Sequence, residues 1–213
     1  MGEARAHVSP PLVIKVGGSL AETGRLKAAL QTICDAGCTA GRRVVVVAGG
    51  GAFADKVRDL QLAVGFDDAA AHRLAMLGQH QMAELFIGLE PRLVITDSLD
   101  GIETVLQAGK VPIWVPLPTL DRDTTIAADW SITSDGIAAR LAELLGGAPL
   151  VLLKSVDVAP DEPAANLAEG GVVDAAFPGI VARAGLSWKI FGPSDDAALA
   201  AYLTATPSAT VFS

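Results

Sequence analysis

The sequence predicts an α/β fold, a three-layer αβα sandwich around a mostly parallel central sheet. Two observations carry this prediction. Short apolar runs rich in Val, Ile and Leu recur along the chain, and segments with helical periodicity lie between most of them. Continuous apolar runs are typical of strands that are buried on both faces of a parallel sheet. Strands that alternate with helices predict helices on both sides of that sheet.

The strands and helices follow from these patterns in order. Seven apolar runs are interpreted as strands: residues 12–16, 44–48, 93–96, 113–115, 150–153, 189–191 and 210–212. Six segments carry helical periodicity: residues 25–35, 53–62, 69–89, 98–108, 134–145 and 195–203. Ser98 and Ser134 fit helix N-caps, and Gly146 with Gly147 fits a helix stop. Residues 159–171 are rich in Pro, Ala, Asp and Glu, which predicts an exposed loop or hairpin.

The composition excludes several classes of protein. Of 213 residues, 51% are hydrophobic and 19% are charged, which excludes an intrinsically disordered chain. No apolar stretch approaches the roughly 20 residues of a membrane span. Sixteen Lys and Arg against 24 Asp and Glu give a net charge of −8. We therefore expect no nucleic-acid and no membrane partner, although a local positive pocket for a small anion is compatible with this charge.

The N-terminus and the cysteines indicate a cytoplasmic protein. Residues 1–11 are polar, end in proline and lack the apolar core of a secretory signal, so we interpret them as a flexible tail. Cys34 and Cys38 lie four residues apart without a second pair, which predicts two free thiols. Because no segment has the composition of a linker, we expect a single domain over residues 1–213.

Two glycine clusters follow the first two predicted strands, at the ends where ligands bind to a parallel sheet. One is Gly17-Gly18-Ser19 and the other is Gly49-Gly50-Gly51. Glycines let the backbone approach a phosphate closely, and the helices that follow add the positive ends of their dipoles. Lys15 lies within the first strand, where a buried ammonium needs an anionic partner. Two phosphate cradles on one sheet suggest a phosphotransferase that binds a nucleotide on one side and an acidic or phosphorylated acceptor on the other.

Three motifs resemble the amino acid kinase superfamily, and the resemblance runs over nearly the whole chain. The motifs are Lys15-Val16-Gly17-Gly18-Ser19, the glycine turn at 49–51, and Thr133-Ser134-Asp135 at the start of a helix. Within the superfamily, the runs that start at Gly49, Ala71, Trp130 and Val173 are similar to the small 5-(aminomethyl)-3-furanmethanol phosphate kinases of methanofuran biosynthesis. Those kinases add a second phosphate to a phosphomonoester. This sequence departs from the superfamily after the fifth strand, where Ser155-Val156-Asp157-Val158 replaces an Asp-Val-Asp-Gly run.

The resemblance implies roles for particular residues. The catalytic candidates are Lys15, Asp135 and Lys154, with the carboxylate holding Lys15 in place. The ATP-binding candidates are Gly17, Gly18, Ser19, Asp157 and Lys189. The acceptor-binding candidates are Gly49, Gly50, Gly51, Arg58, His72 and Arg73. The resemblance also implies ATP with Mg²⁺ and a homo-oligomer, but no pair of carboxylates in the sequence marks a metal site.

The resemblance therefore implies an ATP-dependent kinase for a small phosphomonoester. The expected acceptor is 5-(aminomethyl)-3-furanmethanol phosphate, in methanofuran-type cofactor biosynthesis of a one-carbon pathway. Two alternatives remain open. One is a kinase for a nucleoside monophosphate or another small acid, and the other is a non-catalytic protein of the same fold that binds ATP or stores metal oxyanions. A purely structural role also remains open for Lys154 and Lys189. Each could be a lysine at a strand end, with a buried aliphatic stem and an ammonium group that reaches solvent.

Overall fold

A parallel sheet of six strands forms the centre of the structure, a computed structural model that describes residues 9–205. The strands are β1 (Leu12–Val16), β2 (Val44–Ala48), β3 (Leu93–Thr96), β4 (Val111–Trp114), β5 (Leu150–Leu153) and β6 (Trp188–Phe191). They lie in the order β3-β4-β2-β1-β5-β6, and every neighbouring pair is parallel. The prediction of an αβα sandwich with a mostly parallel sheet is confirmed.

Helices connect the strands and cover both sides of the sheet. They are α1 (Leu26–Cys34), α2 (Gly51–Val64), α3 (Asp68–Leu89), α4 (Leu99–Gln107), α5 (Leu117–Leu120), α6 (Ser134–Leu144), α7 (Ala164–Glu169), α8 (Phe177–Arg183) and α9 (Asp196–Thr204). Short 3₁₀ turns occur at Gly18–Ala21 and Pro193–Asp195, and a π-helical turn at Asp35–Thr39 extends α1. Between residues 9 and 205, no helix combines the length and the apolar composition needed to cross a membrane.

The two faces of the sheet pack against different helices. Successive strand residues point to opposite faces. In β1, Ile14 and Val16 belong to a core with α1, α3 and α9, whereas Val13 belongs to a core with α6 and α8. Lys15 shares the face of Val13 because it lies two residues further along the strand. The alternation therefore directs Lys15 toward α6.

The structure differs from the sequence-based prediction in a few local features. Residues 159–171 are not simply a loop or hairpin, because they contain α7. Its alanines favour a helix and Leu167 anchors it, at 4% exposed. Ser134 is the first residue of α6 rather than its N-cap, which is Thr133. Cys34 and Cys38 are free thiols, as predicted. The predicted strand at 210–212 and residues 1–8 of the predicted tail lie outside the described residues.

Candidate active site

Two lysines share one buried carboxylate at the carboxyl ends of β1 and β5. Lys15 Nζ lies 3.0 Å from Asp135 Oδ1, and Lys154 Nζ donates a hydrogen bond to Asp135 Oδ2 at 2.6 Å. Lys15 is 5% exposed and Asp135 is 4% exposed. β1 and β5 pair in parallel with Lys15 opposite Leu152, so Lys154, two residues later, points to the same face. We call these three residues the lysine–aspartate array.

The array combines two positive charges with one negative charge where little water enters. Burial is the largest influence on the pKa of Asp135 and raises it, but Lys15 and Lys154 together outweigh burial and hold this pKa below its usual value. Burial, and then the charge of Lys15, lower the pKa of Lys154 to about 8. Asp135 Oδ1 faces the ammonium group of Lys15 at 3.0 Å. A net positive charge is therefore available to an anion at this end of the sheet.

The glycine turns after β1 and β2 lie against each other beside the array. Gly17 N donates to Leu153 O at 3.1 Å, which ties the first turn to β5. A Cβ atom on Gly18 would collide with the backbone of Gly51, and Gly51 has a φ of 51°, so both positions require glycine. α2 starts at Gly51, and no side chain caps it at Gly50. The N–H groups of its first turn are therefore open to an anion.

The loop after Lys154 forms a rim beside the first glycine turn. Ser19 Oγ donates to Ser155 Oγ at 3.1 Å. Asp157 accepts hydrogen bonds from the backbone N and the Oγ of Ser194, both at 2.9 Å, and these bonds hold the pKa of Asp157 below its usual value. Four of the five ATP-binding candidates, Gly17, Gly18, Ser19 and Asp157, thus lie on or beside one rim.

Lys189 lies away from this rim. It is the second residue of β6, opposite Val151, toward the amino ends of the strands. There it lines a groove with Pro10 and Tyr202. The structure does not bring Lys189 to the other ATP-binding candidates.

A small cleft of about 120 Å³ lies between α2, α3 and the start of α6. Most of the acceptor-binding candidates line it: Gly49, Gly50, Gly51, Arg58 and His72. Burial lowers the pKa of His72, which favours the neutral imidazole at this position. Arg73 is the exception, because its side chain is 52% exposed and pairs with Asp121 instead.

Arg58 and Trp130 form one side of this cleft. The guanidinium carbon of Arg58 lies 4.3 Å from the centre of the Trp130 ring, a cation–π contact. Trp130 Nε1 donates to Gln61 Oε1 at 2.6 Å, and Arg58 pairs with Asp55 at 3.1 Å. These contacts hold the guanidinium of Arg58 at the cleft beside an aromatic surface, with its charge paired to Asp55.

The described residues offer no built site for a metal ion. Within residues 9–205, no three or more His, Cys, Asp and Glu side chains are arranged to hold one. Both oxygens of Asp135 face lysine ammonium groups. Mg²⁺ commonly keeps several waters and binds through substrate phosphates, so an ion that arrives with a nucleotide needs no protein cage here.

Three residues near the site are not among the site residues predicted from the sequence. Arg25 donates to the carbonyls of Lys154 and Gly192, at 3.1 and 2.9 Å, and so joins the loops after β5 and β6. Gln79 lines the small cleft and is 4% exposed. Asp174 binds the start of α6 through Thr133, at 2.8 Å. A sequence signal existed for Asp174 alone, since it lies in one of the runs that carry the family resemblance.

Comparisons with known proteins bear on family and fold. A family model described as the amino acid kinase family matches residues 10–166. A (5-(aminomethyl)furan-3-yl)methyl phosphate kinase from Methanocaldococcus jannaschii is 25% identical over 145 residues. That match spans 68% of this chain and 66% of the relative, just under two thirds of the relative's length.

Solved structures have the same fold at low sequence identity. The uridylate kinase of Archaeoglobus fulgidus superposes with a TM-score of 0.69 and 16% identity, covering 91% of this chain and 95% of that one. An isopentenyl phosphate kinase superposes with a TM-score of 0.60 and 16% identity, covering 91% of this chain and 96% of the other. These likenesses agree with the α/β architecture described above.

Proposed function

We propose that this chain, which belongs to the amino acid kinase family, transfers the terminal phosphoryl group of ATP to a small phosphomonoester. The observation that carries the proposal is the lysine–aspartate array beside two glycine turns. Phosphoryl transfer needs alignment of the reactants and neutralisation of charge on the transferring oxygens, and little covalent work from the protein. A buried array with a net positive charge is suited to both tasks.

In the proposed mechanism, each half of the site holds one substrate. ATP lies along the turn Gly17-Gly18-Ser19, and the phosphate of the acceptor lies at the first turn of α2. Lys15 and Lys154 bind the oxygens of the transferring phosphoryl group, and Asp135 orients both ammonium groups. An oxygen of the acceptor phosphate bonds to the γ-phosphorus while the bond to ADP breaks. Mg²⁺ bound to ATP neutralises part of the triphosphate charge.

We propose a single small ring as the body of the acceptor, of the kind named for the Methanocaldococcus jannaschii relative. The cleft volume of about 120 Å³ supports this choice, since it lies below the roughly 300–1,000 Å³ of sites for drug-sized ligands. Such a volume suits one ring better than a nucleoside. Arg58 supplies hydrogen-bond donors for the acceptor, and the neutral imidazole of His72 lines the same cleft.

The proposal includes a cytoplasmic homo-oligomer. Support for self-association comes from the large hydrophobic side chains exposed on α2 and α3, because exposed apolar patches mark interaction surfaces. These residues are Phe53, Leu60, Leu62, Val64, Leu74, Leu77 and Leu85.

The function is tested by incubating the purified protein with Mg²⁺-ATP and single phosphomonoesters. The set contains (5-(aminomethyl)furan-3-yl)methyl phosphate, isopentenyl phosphate and UMP. We expect ADP release with the furan compound, and ³¹P NMR should show a diphosphate ester as the product. The variant Lys15→Ala serves as the background control.

Each other outcome contradicts a defined part of the proposal. Preferential turnover of UMP would replace the furan acceptor with a nucleoside monophosphate. Tight ATP binding without ADP release with any phosphomonoester would reject the kinase in favour of a nucleotide-binding or storage protein.

A further inference from the structure

Asp174 is a partly buried carboxylate that the proposed mechanism does not use, and it lies directly behind the lysine–aspartate array. Its Oδ2 accepts hydrogen bonds from Thr133 N at 2.8 Å, Thr133 Oγ1 at 3.1 Å and Gly136 N at 2.8 Å. Its Oδ1 accepts a hydrogen bond from Phe177 N at 3.0 Å. Since Thr133 and Gly136 belong to the start of α6 and Phe177 is the first residue of α8, one side chain satisfies backbone donors of two helices.

These contacts enclose the residue that binds both lysines. Asp135 lies between Thr133 and Gly136, so the backbone N–H groups held by Asp174 flank Asp135 along the chain. Thr133, the N-cap of α6, makes no capping bond with its own side chain. Unpaired N–H groups at a buried helix start are costly, and Asp174 satisfies them from a distant part of the sequence.

We propose that Asp174 is a positioning residue, which fixes the first turn of α6 so that the Asp135 carboxylate meets both lysines. Its negative charge also favours the protonated form of Lys154. Its kinetic consequence rests on the proposed function, but its effect on Lys154 does not. Because Asp174 contacts neither lysine, it acts on the lysines through backbone placement and through charge.

Four charged groups surround Lys154. Lys15 of β1, Asp135 of α6 and Asp174 before α8 act on its ammonium, and Arg25 binds its carbonyl at 3.1 Å. Burial and then Lys15 lower the pKa of Lys154 to about 8, while Asp135 and Asp174 act to raise it. Burial and then Asp135 raise the pKa of Asp174, against the effect of its hydrogen bonds. Loss of the Asp174 charge therefore lowers the pKa of Lys154 further.

The test compares Asp174→Asn with Asp123→Asn. Asp123 is a suitable control because it is also a partly buried carboxylate that braces α6, through a pair with Arg140 at 2.7 Å. Lys154 is titrated without substrate by NMR of ¹³Cε-lysine-labelled protein, with Lys154→Arg to assign its signal. Asp174→Asn should lower the Lys154 midpoint by about half a pH unit or more, and Asp123→Asn should leave it unchanged.

Kinetics test the positional part of the inference. At a pH where Lys154 is protonated in both proteins, Asp174→Asn should lower kcat by about tenfold or more, while the KM for ATP changes by about twofold or less. A residue that only stabilises the fold would lower the melting temperature and leave kcat per folded molecule unchanged.

Each result decides a separate claim. An unchanged Lys154 midpoint in folded Asp174→Asn overturns the electrostatic part, and an unchanged kcat overturns the positional part. If Asp174→Asn does not fold, Asp174→Glu keeps the charge but displaces it by one methylene, and a full kcat in that variant rejects positioning. If the wild-type protein phosphorylates no acceptor, the proposed function fails, while the NMR titration still decides whether Asp174 acts on Lys154.

Discussion

At the scale of single residues, Lys154 makes the proposed activity depend on pH. Its pKa is lowered to about 8, mainly by burial. A group that acts as an ammonium supports activity below its pKa, and this support is lost as pH rises through that value. We therefore expect kcat/KM for ATP, which reports groups of the free enzyme, to fall above about pH 8 by about tenfold per pH unit, in a profile measured at constant ionic strength.

The control for this profile is Lys154→Arg. A guanidinium stays charged across the whole range, so the fall above pH 8 should disappear even if the variant is slower overall. The same fall in Lys154→Arg would assign it to another group.

Lys15 carries the second prediction at this scale. Lys15→Ala removes a buried ammonium within reach of the transferring oxygens, and it should lower kcat by about 10²–10³-fold with a small change in the KM for ATP. Steady-state kinetics with varied ATP measure both values. The comparison variant is Lys189→Ala, which changes a strand lysine at the opposite end of the sheet and should leave both constants unchanged. A raised KM for ATP in Lys189→Ala would contradict the nucleotide position proposed here.

The site residues differ in how far the sequence predicts them. The family resemblance predicts that Asp135 holds Lys15, and the two side chains lie 3.0 Å apart. His72 and Arg73 are adjacent and both basic, yet a step of one residue on a helix turns the side chain to another face. His72 therefore lines the cleft, while Arg73 pairs with Asp121 on the outside.

At the scale of elements, the contact between the two glycine turns can be tested by adding a single methyl group. In Gly18→Ala the new Cβ would collide with the backbone at Gly51 and push the start of α2 out of place. We expect kcat/KM to fall by about 10²-fold, because small displacements of reacting groups carry penalties of this size.

The matched control is Gly88→Ala, in an exposed part of α3 where an added Cβ meets nothing within 4 Å. It should raise the free energy of unfolding by about 0.5–1 kcal/mol and leave kcat/KM unchanged. Chemical denaturation measures the first effect. Normal kcat/KM in Gly18→Ala would mean that the two turns need not touch for activity.

The sequence predicts strands better than it predicts how helix ends are satisfied. Five residues of β1 and five of β2 follow the apolar runs without error, because burial on both faces leaves a continuous signal. The apolar pattern of the sequence does not indicate which group accepts the backbone hydrogen bonds at the start of α6. The acceptor is Asp174, which comes from a segment that is distant in sequence and reaches Gly136 only in the folded chain.

At the scale of the whole molecule, α2 and α3 present the largest group of exposed hydrophobic side chains among the described residues. α2 contributes no fully buried residue to the fold. If a second copy covers this surface, Leu77→Glu with Leu85→Glu should shift the protein toward monomer by light scattering after size exclusion. Lys110→Glu, which changes charge in the turn between α4 and β4, is the control. An unchanged mass in the double variant would place the interface elsewhere or remove it.

Because two lysines share one carboxylate, we expect nucleotide binding to be coupled to proton uptake. Asp135 provides one negative charge for two lysine ammonium groups. A triphosphate bound beside Lys154 adds negative charge there and so favours the protonated form of Lys154. Near pH 8, where Lys154 is about half protonated, nucleotide binding should therefore draw protons from the buffer. Calorimetric titrations in buffers of different ionisation enthalpy measure this uptake directly, and we expect up to about half a proton per ATP bound, vanishing near pH 6. The chain as a whole has a net charge of −8. Protonation of Lys154 therefore gives the anionic substrate a local positive charge, and this charge increases as the pH falls.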